Sequence, residues 1–227
     1  MRTTKLEESL KVLTTLGLPI CDVLDVGVLT GTPVLMKQFP DRTHHLFEPI
    51  DDYFDDIRLN YAHIDHRLVH AAVDDASGEV LMHSARKMGD GNISHSWITN
   101  TASDASRRVR AITLDEYVAN TPGRAPYLLK IDVDGAPVPA AILRGARNML
   151  QSCSVVLIEM TVDRFVERAA LLDSAGFDLW DLTAICYYGD CLWQCDAVFV
   201  NRRFKKQIPD LSPMHKQPFV PSRWQSG

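Results

Sequence analysis

A lysine and two aspartates alternate in Lys130-Ile-Asp132-Val-Asp134-Gly135, directly after the apolar run Tyr127-Leu-Leu. An apolar strand that breaks into carboxylates and a glycine carries charge at its carboxyl end, where open parallel sheets bind ligands. A carboxylate there can align a substrate, accept a proton or hold a ligand's amine. Asp132 suits each of these tasks, with a hydrogen bond to the loop backbone as its plainer role. Asp134 is a second catalytic candidate or, more simply, a cap for the helix that follows. Lys130 points away from the face of Ile131 and is expected to pair with Glu159 or another buried acid.

A second group lies upstream. Asp25-Val-Gly27-Val-Leu-Thr-Gly31 joins an apolar run to a helix through two glycines, so the backbone can approach a ligand beside free helix amides. Glu48 closes the next apolar run, where a carboxylate can accept both hydroxyls of a ribose. Taken as a tight turn and a helix-start acid, the two groups would need no ligand; taken together they point to an adenosine-containing one. The spacing is not Gly-x-Gly-x-x-Gly, and an acid leads it, which suits a pyrophosphate poorly. A sulfonium with an amino-acid tail tolerates that acid, so the ligand read here is S-adenosylmethionine. Pro49 and Val73, at later strand ends, are counted with Asp25, Gly27, Gly31, Glu48 and Asp132 as the cofactor wall.

His95, in Gly91-Asn-Ile-Ser-His-Ser96, is a candidate base near neutral pH or an ordinary exposed histidine. Trp97, Tyr187, Tyr188 and Trp193 can stack on a sugar ring or simply anchor loops. Cys186, Cys191 and Cys195 fall close together without a Cys-x-x-Cys pair or a histidine at zinc spacing, so no metal site is expected.

The elements that must hold these residues alternate. Thr4 to Leu16 has leucines at helical spacing, and Cys21 to Val26 reads as a strand buried on both faces. Helix through Phe39, strand His44 to Phe47, helix Ile50 to Tyr61 and strand Arg67 to Val73 follow. Strand Glu79 to His83 precedes Ser84 to Ser106, a polar segment without periodicity that reads as a mobile loop or lid. Arg108 to Ile112 is a strand, and Thr113 caps a helix with Glu116 three residues on. Beyond the central segment come strand Ser154 to Glu159, helix Val162 to Ala175, and strands Phe177 to Leu182 and Leu192 to Asn201. This alternation predicts a doubly wound α/β sheet in one domain over residues 1–208, with an N-terminal helix within 1–17 and a proline-rich tail over 209–227.

The bulk numbers agree. At 227 residues, 46% hydrophobic and 23% charged, the chain can bury one substantial core. A net charge of −5 gives no electrostatic case for nucleic acid. No run approaches the ~18 apolar residues of a membrane span. Five cysteines, an odd count, and a charged N-terminus predict reduced thiols in the cytoplasm.

Asp25-x-Gly27-x-x-x-Gly31, Phe39-Pro40, Phe47-Glu48-Pro49, Lys130-Ile-Asp-Val-Asp-Gly-Ala136 with Leu143-Arg-Gly-Ala146, and Gln194-x-Asp196-x-Val-Phe-Val200 resemble the FkbM-type methyltransferases. The resemblance implies a Rossmann-like sheet of the class I methyltransferase type, mostly parallel with an antiparallel last strand. It also implies S-adenosylmethionine-dependent O-methyl transfer to a hydroxyl of a sugar, glycan or related small-molecule natural product. Two positions depart from the family pattern: Leu29 stands where Asn is usual, and Pro137 where Glu is usual. They keep a catalytically silent cofactor-binding or scaffold protein as an alternative, with an NAD-linked oxidoreductase behind it.

Overall fold

The computed structural model describes residues 5–86, 93–99, 101, 103, 106–211 and 221–223. The leucine spacing near the N-terminus forms α1 (Leu6–Thr15), which buries Leu10 and Leu13 completely. There follow β1 (Asp22–Val26), α2 (Pro33–Gln38), β2 (Thr43–Phe47), α3 (Phe54–Asn60) and β3 (His66–Val69). A second group contains β4 (Ala72–Val73), β5 (Gly78–Arg86), β6 (Ile93–Thr99) and β7 (Ser106–Ile112). The chain continues through α4 (Leu114–Asn120), β8 (Tyr127–Ile131), α5 (Val138–Arg144), α6 (Arg147–Leu150) and β9 (Cys153–Thr161). It ends in α7 (Phe165–Ser174), β10 (Phe177–Tyr188), β11 (Cys191–Asn201) and α8 (Arg202–Lys205). Thr113 caps α4 as its spacing predicts, accepting from the Glu116 N–H at 3.0 Å.

The main sheet has seven strands in the order β3-β2-β1-β8-β9-β11-β10. The first five run parallel, and β11 is antiparallel to both β9 and β10. The mostly parallel sheet with an antiparallel last strand is therefore present. The strands β1 and β8 are buried at every residue, because each face packs on helices. Leu24, Val26, Leu129 and Ile131 face α5, whereas Val23 and Leu128 face α1 and α2. From β1 the chain winds outward to β3, then returns to β8 on the other side. The carboxyl ends of β1 and β8 thus form the switch point where such sheets open a crevice.

Two local expectations differ from what is observed. Arg67 to Val73 is not one strand: a tight turn, with the Ala71 N–H on Val69 O at 2.9 Å, separates β3 in the main sheet from β4 in another. That other sheet has four strands in the order β4-β7-β5-β6. Its β6, and the end of β5, occupy much of the segment Ser84 to Ser106, which therefore includes paired strand rather than loop alone. Residues 87–92, 100, 102, 104 and 105 of that segment lie outside the described residues, as do 212–220 and 224–227 of the tail. The small sheet packs Met82 and Val109 against Leu46, Ile50 and Ile57, which stations it beside the carboxyl end of β2. No helix among the described residues is long and apolar enough to cross a membrane.

Candidate active site

A cleft with a cavity volume of about 270 Å³ opens at the switch point. Its floor is the turn after β1. Gly27 has φ +83, and a Cβ there would stand 2.0 Å from the Asp132 carbonyl oxygen. Only glycine lets the turns after β1 and β8 lie this close, and the Gly27 N–H meanwhile donates to Phe47 O at 3.2 Å. Glu48, at the end of β2, ties the same region together. One carboxylate oxygen accepts the Leu29 N–H and the other the Ile50 N–H, both at 2.9 Å. Burial pushes the Glu48 carboxyl up to about 7, against the pull of those two amides. Pro49, Ile50, Ala72 and Val73 complete an apolar wall beside it.

Across the floor stands a buried charge bridge. Lys130 Nζ lies 3.2 Å from Asp25 Oδ1, 3.2 Å from Asp132 Oδ2 and 3.3 Å from Gly27 O. Burial alone would lower the lysine pKa, but the two aspartates outweigh it and hold the ammonium charged. Asp25 is fully buried, whereas the Asp132 side chain is about half exposed and lines the cleft. The lysine thus couples an inner acid to an outer one. The Asp132 N–H donates to Val26 O at 3.0 Å, which fixes where the outer acid emerges.

The far wall is acidic. Asp134 and Glu159 line the cleft with Asp132, and Asp196 on β11 is the direct cross-strand partner of Glu159 on β9. Burial, then Asp132, Asp196 and Asp134, push the Glu159 carboxyl up to about 7. Burial and Asp132 push Asp196 up to about 6, with Lys130 opposing. Gln194 donates its side-chain amide to Glu159 Oε1. The buried guanidinium of Arg168 bonds the backbone oxygens of Glu159 at 2.8 Å and Ala136 at 3.0 Å, pinning β9 to the loop after β8. The small sheet roofs the cleft with Met82, Ser96, Trp97 and Ile98. Gly135, at φ +97, admits that roof: a Cβ there would meet the Trp97 Cβ at 3.2 Å.

One half of this cleft is apolar with a carboxylate at a β2 end and a glycine floor; the other is polar and acidic. The FkbM methyltransferase domain profile matches residues 25–179, well over half of the chain. The chain belongs to the FkbM-domain methyltransferase family. Its cofactor is S-adenosylmethionine, which removes the oxidoreductase alternative. A search of curated proteins found no match. Among solved structures, an rRNA methylase from Streptococcus thermophilus matches with a TM-score of 0.50 at 12% identity, over 88% of this chain and 98% of that one. Aeropyrum pernix fibrillarin, solved with S-adenosyl-L-methionine, matches with a TM-score of 0.47 at 11% identity, over 78% and 66%. Magnesium protoporphyrin IX methyltransferase from Synechocystis matches with a TM-score of 0.44 at 10% identity, over 86% and 79%. At 12% identity the likeness to the rRNA methylase speaks for fold and not for the acceptor.

In this FkbM-domain protein, Gly27, Glu48, Pro49, Val73, Asp132 and Asp134 all line the cleft. Asp25 and Gly31 do not. Asp25 is sealed behind Lys130 and reaches a ligand only through it, and Gly31 turns its open side toward Met36 and Tyr61. His95 lies on β6 opposite Ala85, but its side chain is outside the described residues. Asp134 is not the cap of α5: Pro137 holds that place, with no side chain capping the helix. The partners of Lys130 are Asp25 and Asp132 rather than Glu159, which faces the cleft instead. The segment Ser84 to Ser106, expected as a loop or lid, reaches the cleft through Ser96, Trp97 and Ile98; what sequence reasoning misses is that these residues lie on paired strand. The two departures from the family pattern differ in kind. Pro137 is exposed and outside the cleft lining, whereas Leu29 lines the cleft and has φ +56.

Proposed function

We propose that the protein is an O-methyltransferase that moves a methyl group from S-adenosylmethionine to a hydroxyl of a sugar, glycan or related small-molecule natural product. The observation that carries this reading is the division of one cleft into two unlike halves at the switch point. The residues fit the cofactor. The close approach at Gly27 leaves room for it, Pro49, Ile50 and Val73 offer apolar surface for an adenine, and Glu48 has a carboxylate lone pair on each oxygen beyond those given to Leu29 and Ile50. Asp132, in contact with the Lys130 ammonium, can take the amine of the cofactor's amino-acid tail or align the acceptor.

S-adenosylmethionine supplies an already activated methyl group, so the protein's task is alignment and removal of a proton. Asp132, Asp134 and Glu159 line the half where an acceptor would enter. Carboxylates concentrated there repel phosphate, which with the net charge of −5 favours an acceptor other than RNA. The roofing Trp97 offers an aromatic face to a sugar ring. Five free thiols suit a reducing compartment, and the cytoplasm is the one we assign.

A silent cofactor-binding protein is the second reading, favoured by Leu29, an apolar side chain where the family pattern usually has Asn. Calorimetry with S-adenosylmethionine and S-adenosylhomocysteine, followed by methyl transfer to a panel of nucleotide sugars, glycans and other small-molecule hydroxyls, separates the two. Binding with turnover is expected; binding without turnover on any acceptor favours the silent reading. Asp132→Ala should lower turnover at least about 100-fold, and unchanged turnover would remove that residue from the mechanism.

A further inference from the structure

We propose that Glu159 is the residue that takes the acceptor's proton. If the acceptor is a hydroxyl, as proposed above, a proton must leave that oxygen as the methyl arrives. Three carboxylates line the acceptor half, and their surroundings are not equal. Asp132 is in ion-pair contact with the Lys130 ammonium at 3.2 Å, so its carboxylate is already engaged by a cation. Glu159 has no such partner: among the described residues no lysine, arginine or histidine forms an ion pair with its carboxylate. Arg168 aims its two terminal nitrogens at the backbone oxygens of Glu159 and Ala136 rather than at the carboxylate, and its charge offsets only part of the acidic surroundings.

What faces Glu159 instead is negative charge. Asp196 stands directly opposite it in the antiparallel pair of β9 and β11, an arrangement that sheets ordinarily avoid for like charges. Asp132 and Asp134 face it from the loop after β8, and together with burial these groups raise its proton affinity to about neutral pH. Gln194 fixes Oε1, which leaves Oε2 to receive the proton. Arg168 anchors the backbone of Glu159, and Gln194 holds its carboxylate at the wall. In the step, the acceptor O–H bond breaks and its proton passes to Glu159 Oε2. The freed pair forms the C–O bond to the methyl carbon, and the C–S pair stays on sulfur as a neutral thioether. Solvent or a later deprotonation restores the carboxylate.

The test has two arms on the full chain. In the first, carbon-13 carboxyl NMR of glutamate-labelled protein follows the resonance that Glu159→Gln removes. Its midpoint is expected near neutrality, and Asp196→Asn should move it down by about one unit. A midpoint in the ordinary glutamate range would overturn the assignment without any need for an acceptor. In the second, Glu159→Gln should slow methyl transfer at least about 100-fold while the calorimetric affinity for S-adenosylmethionine changes by less than about threefold. The acid limb of the wild-type pH–rate profile should coincide with the NMR midpoint and vanish in the variant. Cofactor binding with undiminished turnover in Glu159→Gln would overturn the assignment alone. Failure of the wild type to bind the cofactor would overturn the enzyme reading and this assignment with it.

Discussion

Two glutamates stand at strand ends on opposite sides of the switch point, and in both the carboxyl is pushed up to about 7, first by burial. What holds their oxygens differs. Glu48 gives one oxygen to the Leu29 amide and the other to the Ile50 amide, so it stitches the turn after β1 to the turn after β2. Glu159 gives one oxygen to a side chain and faces Asp132, Asp134 and Asp196. A carboxylate fastened by two backbone amides is part of the frame that shapes the pocket. One set among other carboxylates keeps a proton affinity that chemistry can use. A similar shift therefore serves architecture on one side and reactivity on the other.

The bridge between the halves is where the comparison breaks most easily. Lys130→Met removes the only ion-pair partner that the described residues give to fully buried Asp25. Leaving a buried charge uncompensated should cost about 3–5 kcal/mol. Urea denaturation measures it, and a wild-type midpoint would mean that the halves are not joined through this lysine. Gly27→Ala comes next. Its Cβ would collide with the Asp132 carbonyl at 2.0 Å and keep a positive φ, so the two turns must part. A loss of about 2–4 kcal/mol is expected, together with loss of S-adenosylmethionine binding by calorimetry. Retained binding would show that the close approach is structural only.

The residues behind these two effects were legible in the sequence because β1, β2 and β8 are apolar runs with abrupt charged or glycine ends. Burial on both faces makes such runs stand out, and the strand ends then mark the crevice. The roof was not legible for the opposite physical reason. In β6, Ile-Ser-His-Ser-Trp-Ile-Thr mixes polar and apolar residues as a partly exposed strand does, and the polar composition of its surroundings reads as loop. The break at Ala71 also hides the change of sheet inside Leu68-Val-His-Ala-Ala-Val73, which reads as one strand. Glu159 could be read as a strand-end acid, and Asp196 only as part of the Gln194-x-Asp196 motif within the last strand. That they stand opposite one another depends on the register of β9 with β11, a non-local fact.

Glu48→Gln sharpens the contrast through pH. A carboxyl raised in the folded state binds its proton more tightly there than in the unfolded chain, so stability falls as pH rises. The Glu48 contribution is fully present below about pH 4 and lost as pH passes its folded value of about 7. Its size is on the order of 3 kcal/mol, spread over that window. Thermal unfolding from pH 4 to pH 8 should show a decline in the wild type that is visibly shallower in Glu48→Gln. Equal slopes would mean that Glu48 is already ionised across the range. Glu159→Gln should flatten the curve by less, because its partly exposed carboxyl is better screened.

The smallest expected effect lies at Leu29. Its φ of +56 is a conformation that costs a leucine strain, whereas asparagine, the usual residue of the family here, tolerates it through its short polar side chain. The Leu29 N–H is meanwhile committed to Glu48, so the backbone cannot relax without releasing a buried carboxylate. Leu29→Asn should therefore raise stability by about 0.5–1 kcal/mol. It should also tighten S-adenosylmethionine binding, since the side chain lines the cleft. A gain in stability with no change in affinity would confine Leu29 to the frame. A gain in affinity would make this one residue the point where the architectural half tunes the reactive one.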